Sequence, residues 1–214
     1  MPRQSLLLLG TRTLAEEVAD LVSDGDEFEV TGFVENMDRA RCSEPLLGLP
    51  VHWIDDIAPM AQSHMAVCAL GTTKRGHFTD QVKALGFRFA TIIHSSARLS
   101  RTSTVGAGSI LSAGVIVAAH TTIGEHVFVN RGALVGHHTT IGNHCSVMPG
   151  ANIAGSCTIG DRCYVGMGAV VIDHLSIGDR CVVAAGAVVT KSLPDAVQVM
   201  GVPARVVVDA VEGR

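Results

Sequence analysis

Residues 129–166 read VNRGALVGHHTTIGNHCSVMPGANIAGSCTIGDRCYVG, and an aliphatic side chain returns at every sixth position of this stretch. The spacing continues in both directions without an insertion. A six-residue period is typical of a β-helix, in which each unit supplies one short strand and one turn, and three units make a coil of about 18 residues. Seventeen consecutive sixth positions are aliphatic: Ile93, Leu99, Val105, Leu111, Val117, Ile123, Val129, Val135, Ile141, Val147, Ile153, Ile159, Val165, Val171, Ile177, Val183 and Val189.

The residues around each aliphatic position predict how the interior is filled. Each aliphatic side chain is expected to point inward and to stack on its counterpart in the next coil, at the strand spacing of about 4.8 Å. Two residues earlier the side chain is usually small, as at Ser109 and Ala151. Small cysteines fit the same position as reduced core residues. Four of the six cysteines occupy it, namely Cys145, Cys157, Cys163 and Cys181.

The first part of the chain has a different pattern, in which strands alternate with helices. Alternation of this kind predicts a small, mostly parallel α/β sheet. The sequence therefore divides into a small Rossmann-like α/β domain at residues 1–92 and a β-helix domain with a C-terminal tail at residues 93–214. Apolar runs predict strands at 6–9, 28–34, 51–54, 65–70 and 87–93, and helical spacing predicts helices at 11–23, from Asp55 onward, and at 78–85.

Charge and composition exclude several classes of partner. The net charge is −4 and the pI is about 6.2, so the chain lacks the basic surface that nucleic acids or anionic membranes require. The run Leu6 to Leu9 is too short for a membrane span or a secretory signal. We therefore expect a cytoplasmic protein. No C-x-x-C spacing indicates zinc, and no metal is expected.

The histidines of the repeat region fall into two registers. Most follow an aliphatic position by three residues, where the chain turns outward, and are expected at solvated corners. His137 alone lies one position earlier and can face a groove between neighbouring β-helices. Imidazole is the side chain best suited to take up a proton near neutral pH. The histidines of the common register are His120, His126, His138, His144 and His174.

From His94 to Val206 the chain resembles the sugar acetyltransferases that modify nucleotide-linked amino sugars, of the bacillosamine and perosamine type. Sialic acid O-acetyltransferases belong to the same family. The whole-chain layout, a small α/β domain followed by a β-helix, is also similar. The resemblance implies a left-handed β-helix and acetyl-CoA as the co-substrate. It is carried by residues 129–130, 135–138, 154–155 and 201–205.

The same resemblance implies roles for individual residues. His137 corresponds to the general base, Asn130 to a neighbouring polar residue of the site, and His138 to the position where the family carries Asp or Glu. Gly155 corresponds to a position on the acetyl-CoA groove. The other cofactor-binding positions are Met167, Ala185, Gly186, Gly201, Pro203 and Arg205, and the substrate side of the N-terminal domain is represented by Gly10, Thr11, Glu35 and Asn36.

The expected activity is transfer of acetyl from acetyl-CoA to an amino group of a nucleotide-linked sugar. Two alternatives stay open at this point: O-acetylation of a sugar hydroxyl, such as one of sialic acid, and a non-catalytic β-helix scaffold. Asn130, His137 and Gly155 together argue against the scaffold. Walls poor in charge predict a homotrimer, since a soluble monomer rarely exposes so apolar a surface, and the resemblance places three sites between adjacent β-helices.

Overall fold

The computed structural model of the protein describes residues 2–214 and contains two compact units. The first comprises residues up to 71 together with 75–95, and the second comprises 72–74 together with 96–214. Across the described residues, no helix is long and apolar enough to cross a membrane.

The first unit is a parallel sheet of five strands in the order β3-β2-β1-β4-β5. Leucines 6–9 are completely buried, as expected for a central strand of a parallel sheet that is covered on both faces. The elements are β1 (Gln4–Leu9), α1 (Thr13–Ser23), β2 (Phe28–Glu35), β3 (Val51–Trp53), β4 (Met65–Cys68), α2 (Gly76–Ala84), β5 (Arg88–Phe89) and β6 (Ile92–Ile93).

The helix predicted from Asp55 onward is wrong. The chain instead forms two short 3-10 turns, Ile54–Asp56 and Ala58–Met60. Pro59 has no backbone N–H to donate, which interrupts the hydrogen-bond pattern that a longer helix needs. The strand predicted at 87–93 is also divided, into β5 and β6.

The second unit is a parallel β-helix with three walls. The first wall consists of β7 (Arg98–Leu99), β10 (Ile116–Val117), β13 (Leu134–Val135), β16 (Asn152–Ile153), β19 (Val170–Val171) and β22 (Val188–Val189). The second wall consists of β8 (Thr104–Val105), β11 (Thr122–Ile123), β14 (Thr140–Ile141), β17 (Thr158–Ile159) and β20 (Ser176–Ile177). The third wall includes β9 (Ile110–Leu111), β12 (Phe128–Val129), β15 (Ser146–Val147), β18 (Tyr164–Val165), β21 (Val182–Val183), β23 (Gln198–Met200) and the antiparallel β24 (Arg205–Val208).

The predicted inward register agrees with the burial of the aliphatic positions. Every sixth residue from Leu111 to Val189 is at most 2% exposed, and from Leu111 to Val171 each pairs with its counterpart 18 residues along, as Val135 does with Ile153. The inward prediction is wrong for Ile93, which is 44% exposed because it precedes the first complete coil.

The small inward positions also carry hydrogen bonds that the sequence analysis did not anticipate. Ser109 Oγ donates to the Gly124 carbonyl at 2.8 Å, and Thr121 Oγ1 donates to the Gly136 carbonyl at 2.7 Å. Cys163 Sγ lies 3.0 Å from the Gly178 carbonyl in the same arrangement. The hydrogen bond with Cys145 raises the pKa of the Cys163 thiol, which favours the protonated form as a donor. These side chains therefore link successive coils by hydrogen bonds inside the β-helix.

The three corners of the β-helix differ in the residue that turns the chain at positive φ. The histidine corner, between the first and second walls, contains His120 and His138 at φ 56° and 54°. The glycine corner, between the third and first walls, uses Gly114, Gly132, Gly150, Gly168 and Gly186.

The carboxylate corner lies between the second and third walls and is held by a ladder of side chains. Asp161 Oδ1 accepts from the backbone N–H of Asn143 at 2.7 Å, and Asp179 Oδ1 accepts from that of Asp161 at 2.8 Å. A Cβ on Gly142 would lie 2.4 Å from Asp161 Oδ1. This close approach explains why glycine follows the aliphatic position there.

His126 is buried at this corner and stacks on His144 with ring centroids 5.0 Å apart, so the expectation of a solvated corner is wrong for His126.

We predict that replacing Ile159 by Asp unfolds the β-helix. The side chain is 1% exposed, so the new carboxylate would be buried without a partner, at a cost of about 3 to 5 kcal/mol. Thr158→Asp is the matched control, because Thr158 is the neighbouring residue of the same strand and is exposed. Thermal unfolding followed by circular dichroism measures both. Equal melting temperatures for the two variants would contradict the inward register.

Candidate active site

His137 and His138 form a pair of imidazoles at the histidine corner, in the turn between β13 and β14. Their Nδ1 atoms lie 3.1 Å apart, and the two rings meet edge to face at 84°. The ring of His120, one coil earlier, packs against His138 with centroids 4.8 Å apart. All three side chains are exposed. The corner therefore presents a cluster of groups that can exchange protons with a molecule in solution.

Gly155 occupies the position one coil beyond His137 and makes room for its ring. A Cβ at Gly155 would lie 2.7 Å from Cε1 and 2.8 Å from Nε2 of His137, closer than Cβ atoms approach other atoms. Backbone bonds fix the turn on both sides. The His137 carbonyl accepts from the N–H of Ser156 at 2.8 Å, and the N–H of His138 donates to the Ala119 carbonyl at 2.9 Å.

Most of the predicted cofactor residues lie together at the glycine corner. The N–H of Gly186 donates to the carbonyl of Met167 at 2.8 Å, and the side chain of Met167 is 55% exposed. The loop between β23 and β24, which contains Gly201 and Pro203 and leads to Arg205, extends this corner by bonding to Val188. The N–H of Val188 donates to the Gly201 carbonyl at 3.0 Å. Ala185 is exposed beside Gly186.

Asn130 also lies at the glycine corner, directly after β12, where its side chain is only 3% exposed. Its Oδ1 accepts from the backbone N–H of Arg131 at 2.7 Å. Within one chain the structure thus brings His137, His138 and Gly155 together at one corner. It places Asn130 and the remaining cofactor positions at another, with the first wall between them.

At the glycine corner the backbone is not covered by side chains on its outer side. A Cβ added at Gly132, Gly150, Gly168 or Gly186 would meet no atom within 4 Å, so internal crowding does not exclude a side chain. The histidine corner accommodates His138 in nearly the same left-handed conformation. The glycine corner is therefore open to close approach by another molecule.

The walls differ in what they present on the outside. The first wall exposes Ile116 and Leu134, which are 46% and 39% exposed, beside the partly exposed Val170 and Val188. The second wall exposes a row of hydroxyls, Thr104, Thr122, Thr140, Thr158 and Ser176. Arg98 and Asn152 are the exposed polar residues of the first wall, which is otherwise apolar and lies directly between the histidine and glycine corners.

In the first unit, the predicted substrate residues meet at the carboxyl edge of the parallel sheet. Gly10 and Thr11 follow β1, and Glu35 ends β2. The hydroxyl of Thr11 donates to Glu35 Oε2, and Oε1 accepts from the backbone N–H groups of Asn36, Met37 and Asp38. Burial raises the pKa of Glu35, but these hydrogen bonds lower it by more, so the net pKa lies below the ordinary value. Glu35 therefore organises the loop after β2 as a carboxylate.

Two further residues belong to this edge and were missed in the sequence analysis. Arg41 Nη1 donates to the Thr11 carbonyl at 3.2 Å, and both residues line a cavity of about 260 Å³. Gln81 Oε1 accepts from Asn36 Nδ2 at 2.8 Å. Arg41 could have been identified from the sequence, because it is a basic residue a few positions after the end of β2. Gln81 could not, because it is far from Asn36 in sequence and no motif links the two residues.

A larger cavity in the same unit, of about 430 Å³, lies against α1 and β2 and contains none of the predicted site residues. Residues 2–214 also contain no group of three or more His, Cys, Asp or Glu side chains placed to hold a metal ion. The candidate for chemistry is the cluster of His120, His137 and His138 at the histidine corner, where three exposed imidazoles are in contact.

The family profile described as bacterial transferase hexapeptide (six repeats) matches residues 120–155, 138–173 and 156–191. No curated protein sequence matches the chain.

Among solved structures, the chain is similar to PerB from Caulobacter crescentus in complex with CoA and GDP-perosamine. The two share 32% identity over 95% of this chain and 97% of that one, with a TM-score of 0.87. The acetyltransferase domain of PglB from Neisseria gonorrhoeae in complex with acetyl coenzyme A is 26% identical over 96% and 100% of the two chains, with a TM-score of 0.87. WeeI from Acinetobacter baumannii is 26% identical over 94% and 99%, with a TM-score of 0.85.

We predict that Gly155→Ala displaces the ring of His137 without unfolding the β-helix. The atoms that the new methyl group would meet belong to a side chain that can rotate, so the stability cost should stay within about 1 kcal/mol. The imidazole resonances of His137 in NMR spectra should shift while the melting temperature is retained. Gly25→Ala is the control, because its Cβ would meet only the Val22 carbonyl at 3.6 Å. Unchanged His137 resonances in Gly155→Ala would contradict the contact.

Proposed function

Because the chain belongs to the hexapeptide-repeat sugar acetyltransferases, with their left-handed β-helix and use of acetyl-CoA, we propose that it acetylates the amino group of a nucleotide-linked sugar with His137 as general base. The observation that carries the assignment of the base is the contact between His137 and Gly155. Glycine at this position leaves room for the imidazole, since a Cβ there would lie 2.7 Å from Cε1 and 2.8 Å from Nε2 of His137, and the His137 side chain is exposed.

In the proposed reaction the sugar amine attacks the thioester carbonyl of acetyl-CoA. A carbon–nitrogen bond forms, the carbon–sulfur bond breaks, and CoA leaves as the thiolate. The amine must lose a proton, and Nε2 of His137 is the atom proposed to accept it, because Nδ1 is directed at His138. A positioned base of this kind contributes roughly 10²- to 10⁴-fold to the rate.

We place acetyl-CoA along the glycine corner. The bare backbone of Gly168 and Gly186 allows a chain such as pantetheine to approach closely, and the exposed thioether of Met167 offers an apolar contact. The loop that leads to Arg205 lies at the end of this corner, and we propose that it receives the adenine end of the cofactor.

A homotrimer is the assembly that the surface of the β-helix favours. The first wall leaves Ile116 and Leu134 exposed, and burying these two side chains against another copy would remove them from water. Cyclic packing along this wall would bring the glycine corner of one chain toward the histidine corner of its neighbour. We therefore propose three sites, each completed by two chains.

The nucleotide of the acceptor is proposed to bind at the carboxyl edge of the sheet in the first unit. Ligands of open α/β sheets bind at this edge. Arg41, beside Thr11 in the cavity there, supplies a positive charge suited to a diphosphate. That PerB is similar and was solved with GDP-perosamine supports a nucleotide-linked acceptor.

The assembly is tested by sedimentation equilibrium at micromolar concentration. We expect a mass three times the 22.3 kDa of the chain. Leu134→Asp, which places a charge at the centre of the first wall, should shift the mass toward the monomer, since a buried unpaired charge opposes association. Thr140→Asp on the second wall is the control and should leave the trimer intact. A wild-type monomer would contradict the proposal.

The activity is tested with acetyl-CoA and a panel of amino sugars and hydroxyl sugars, free and nucleotide-linked. We expect turnover on a nucleotide-linked amino sugar, and we expect His137→Ala to lose about 10² to 10⁴ of that turnover while still binding acetyl-CoA.

His174→Asn is the control for that variant. His174 is an exposed histidine two coils beyond His138 at the same corner, and it should be dispensable. If only sugar hydroxyls were acetylated, the proposed N-acetyltransferase activity would be wrong and O-acetylation would take its place. Full activity in His137→Ala would overturn the assignment of the base.

A further inference from the structure

The contact between His137 and His138 restricts which protonation states the pair can adopt. Two Nδ1 atoms at 3.1 Å attract only when one carries a proton and the other offers a lone pair. A neutral imidazole has one nitrogen of each kind, so the bond that one nitrogen makes determines the state of the other. The protonation state of His138 therefore determines which ring nitrogen of His137 has a lone pair available.

We propose that His138 is a positioning residue whose neutral Nδ1 accepts from Nδ1–H of His137, so that the base is active only when both imidazoles are neutral. This inference rests on the proposed function of His137. An imidazole at position 138 differs from a carboxylate in one respect. An ionised carboxylate can only accept a hydrogen bond, whereas an imidazole can also bind a second proton and then donates at both nitrogens.

The position of the proton determines whether His137 can act as a base. While His138 is neutral and accepting, Nε2 of His137 has a free lone pair and can take the proton of the sugar amine. The imidazolium that results keeps both of its N–H groups and still donates to His138. Once His138 is protonated, its own Nδ1–H points at His137, whose Nδ1 must then accept. His137 is left as the Nε2–H form, which has no lone pair at the reacting position.

The surroundings of the pair contain few other charges. The coil before it contributes Ala119 and His120, and the ring of His120 stacks on that of His138. The coil after it contributes Gly155 and Ser156, which are uncharged. By register, Arg101 lies two coils before His137, and Asp173 with its neighbour His174 lies two coils after the pair, about 10 Å away and close to the screening length at physiological salt.

His120 restrains the pair by contact. Its ring lies against that of His138 with 4.8 Å between the centroids, which limits how far the His138 ring can turn.

The choice of variants follows from the backbone. His138 has φ 54°, a conformation that Asn, Asp and Gly adopt more readily than Ala. His138→Asp and His138→Asn keep an acceptor and remove the second titrating imidazole. His138→Gly removes the acceptor without introducing strain. His174→Asn is the matched control, since His174 turns the chain at φ 59° at the same corner.

The first measurement is the tautomer of His137, from the ¹⁵N shifts of the ring nitrogens at pH 8 in the full chain. We expect Nδ1–H with a free Nε2 in the wild type, His138→Asp and His174→Asn. His138→Gly should lose this preference. Nε2–H on His137 in the wild type would overturn the inference. Because this measurement needs no acceptor, it decides the inference even if no sugar is acetylated and the proposed function fails.

The second measurement is the pH dependence of kcat/KM on the acceptor identified above. We expect the low-pH end of the acid limb to be steeper by up to one proton in the wild type than in His138→Asp. One proton on either imidazole already inactivates the wild-type pair, and only the wild type has a second imidazole that can then be protonated. The protonation of the sugar amine is common to both enzymes and cancels in the comparison. His138→Gly should lose roughly 10- to 100-fold in kcat with an unchanged KM for acetyl-CoA, as expected for one hydrogen bond to a charged group. Acid limbs of equal steepness in the wild type and His138→Asp would overturn the inference while leaving His137 as the base.

Discussion

Backbone hydrogen bonds between successive coils fix each residue of the β-helix opposite its counterpart one coil away. Val135 faces Ile153 in this way, and the carbonyl of His137 accepts from the N–H of Ser156. The same register that stacks the aliphatic core inside therefore stacks the corner residues outside. His137 meets Gly155, and His138 meets His120, because each pair is separated by one coil. The geometry of the candidate base is a direct consequence of the packing of the core.

The distribution of residues over the walls and corners connects this register to function. The first wall is largely apolar and lies between the corner that carries His137 and the corner that carries Met167 and Gly186. A second copy packed on that wall would cover apolar surface and complete a site at the same time. Stability of the assembly and formation of the proposed site would then depend on the same surface.

Much of this arrangement could be predicted from the sequence, because a six-residue period determines which side chains point inward. Cys163 was predicted as a core residue and is buried, but its hydrogen bond to the Gly178 carbonyl has no signature in the period. The bonds to both oxygens of Glu35 were also not predictable, since they come from the loop after β2 and from Thr11 in the loop after β1. The period does separate Asn130 and His137, because seven residues place them in successive turns and so at different corners of one chain.

The central claim is that the site is completed by the histidine corner of one chain and the glycine corner of another. Mixed trimers of two inactive variants test it most directly. His137→Ala removes the base from the first corner, and Ala185→Trp blocks the exposed groove at the second. If the site spans two chains, co-expression of the two variants should restore about a quarter of the wild-type turnover, because random mixing pairs the two intact corners at that frequency. No gain in turnover on mixing, with trimers still formed, would contradict the account.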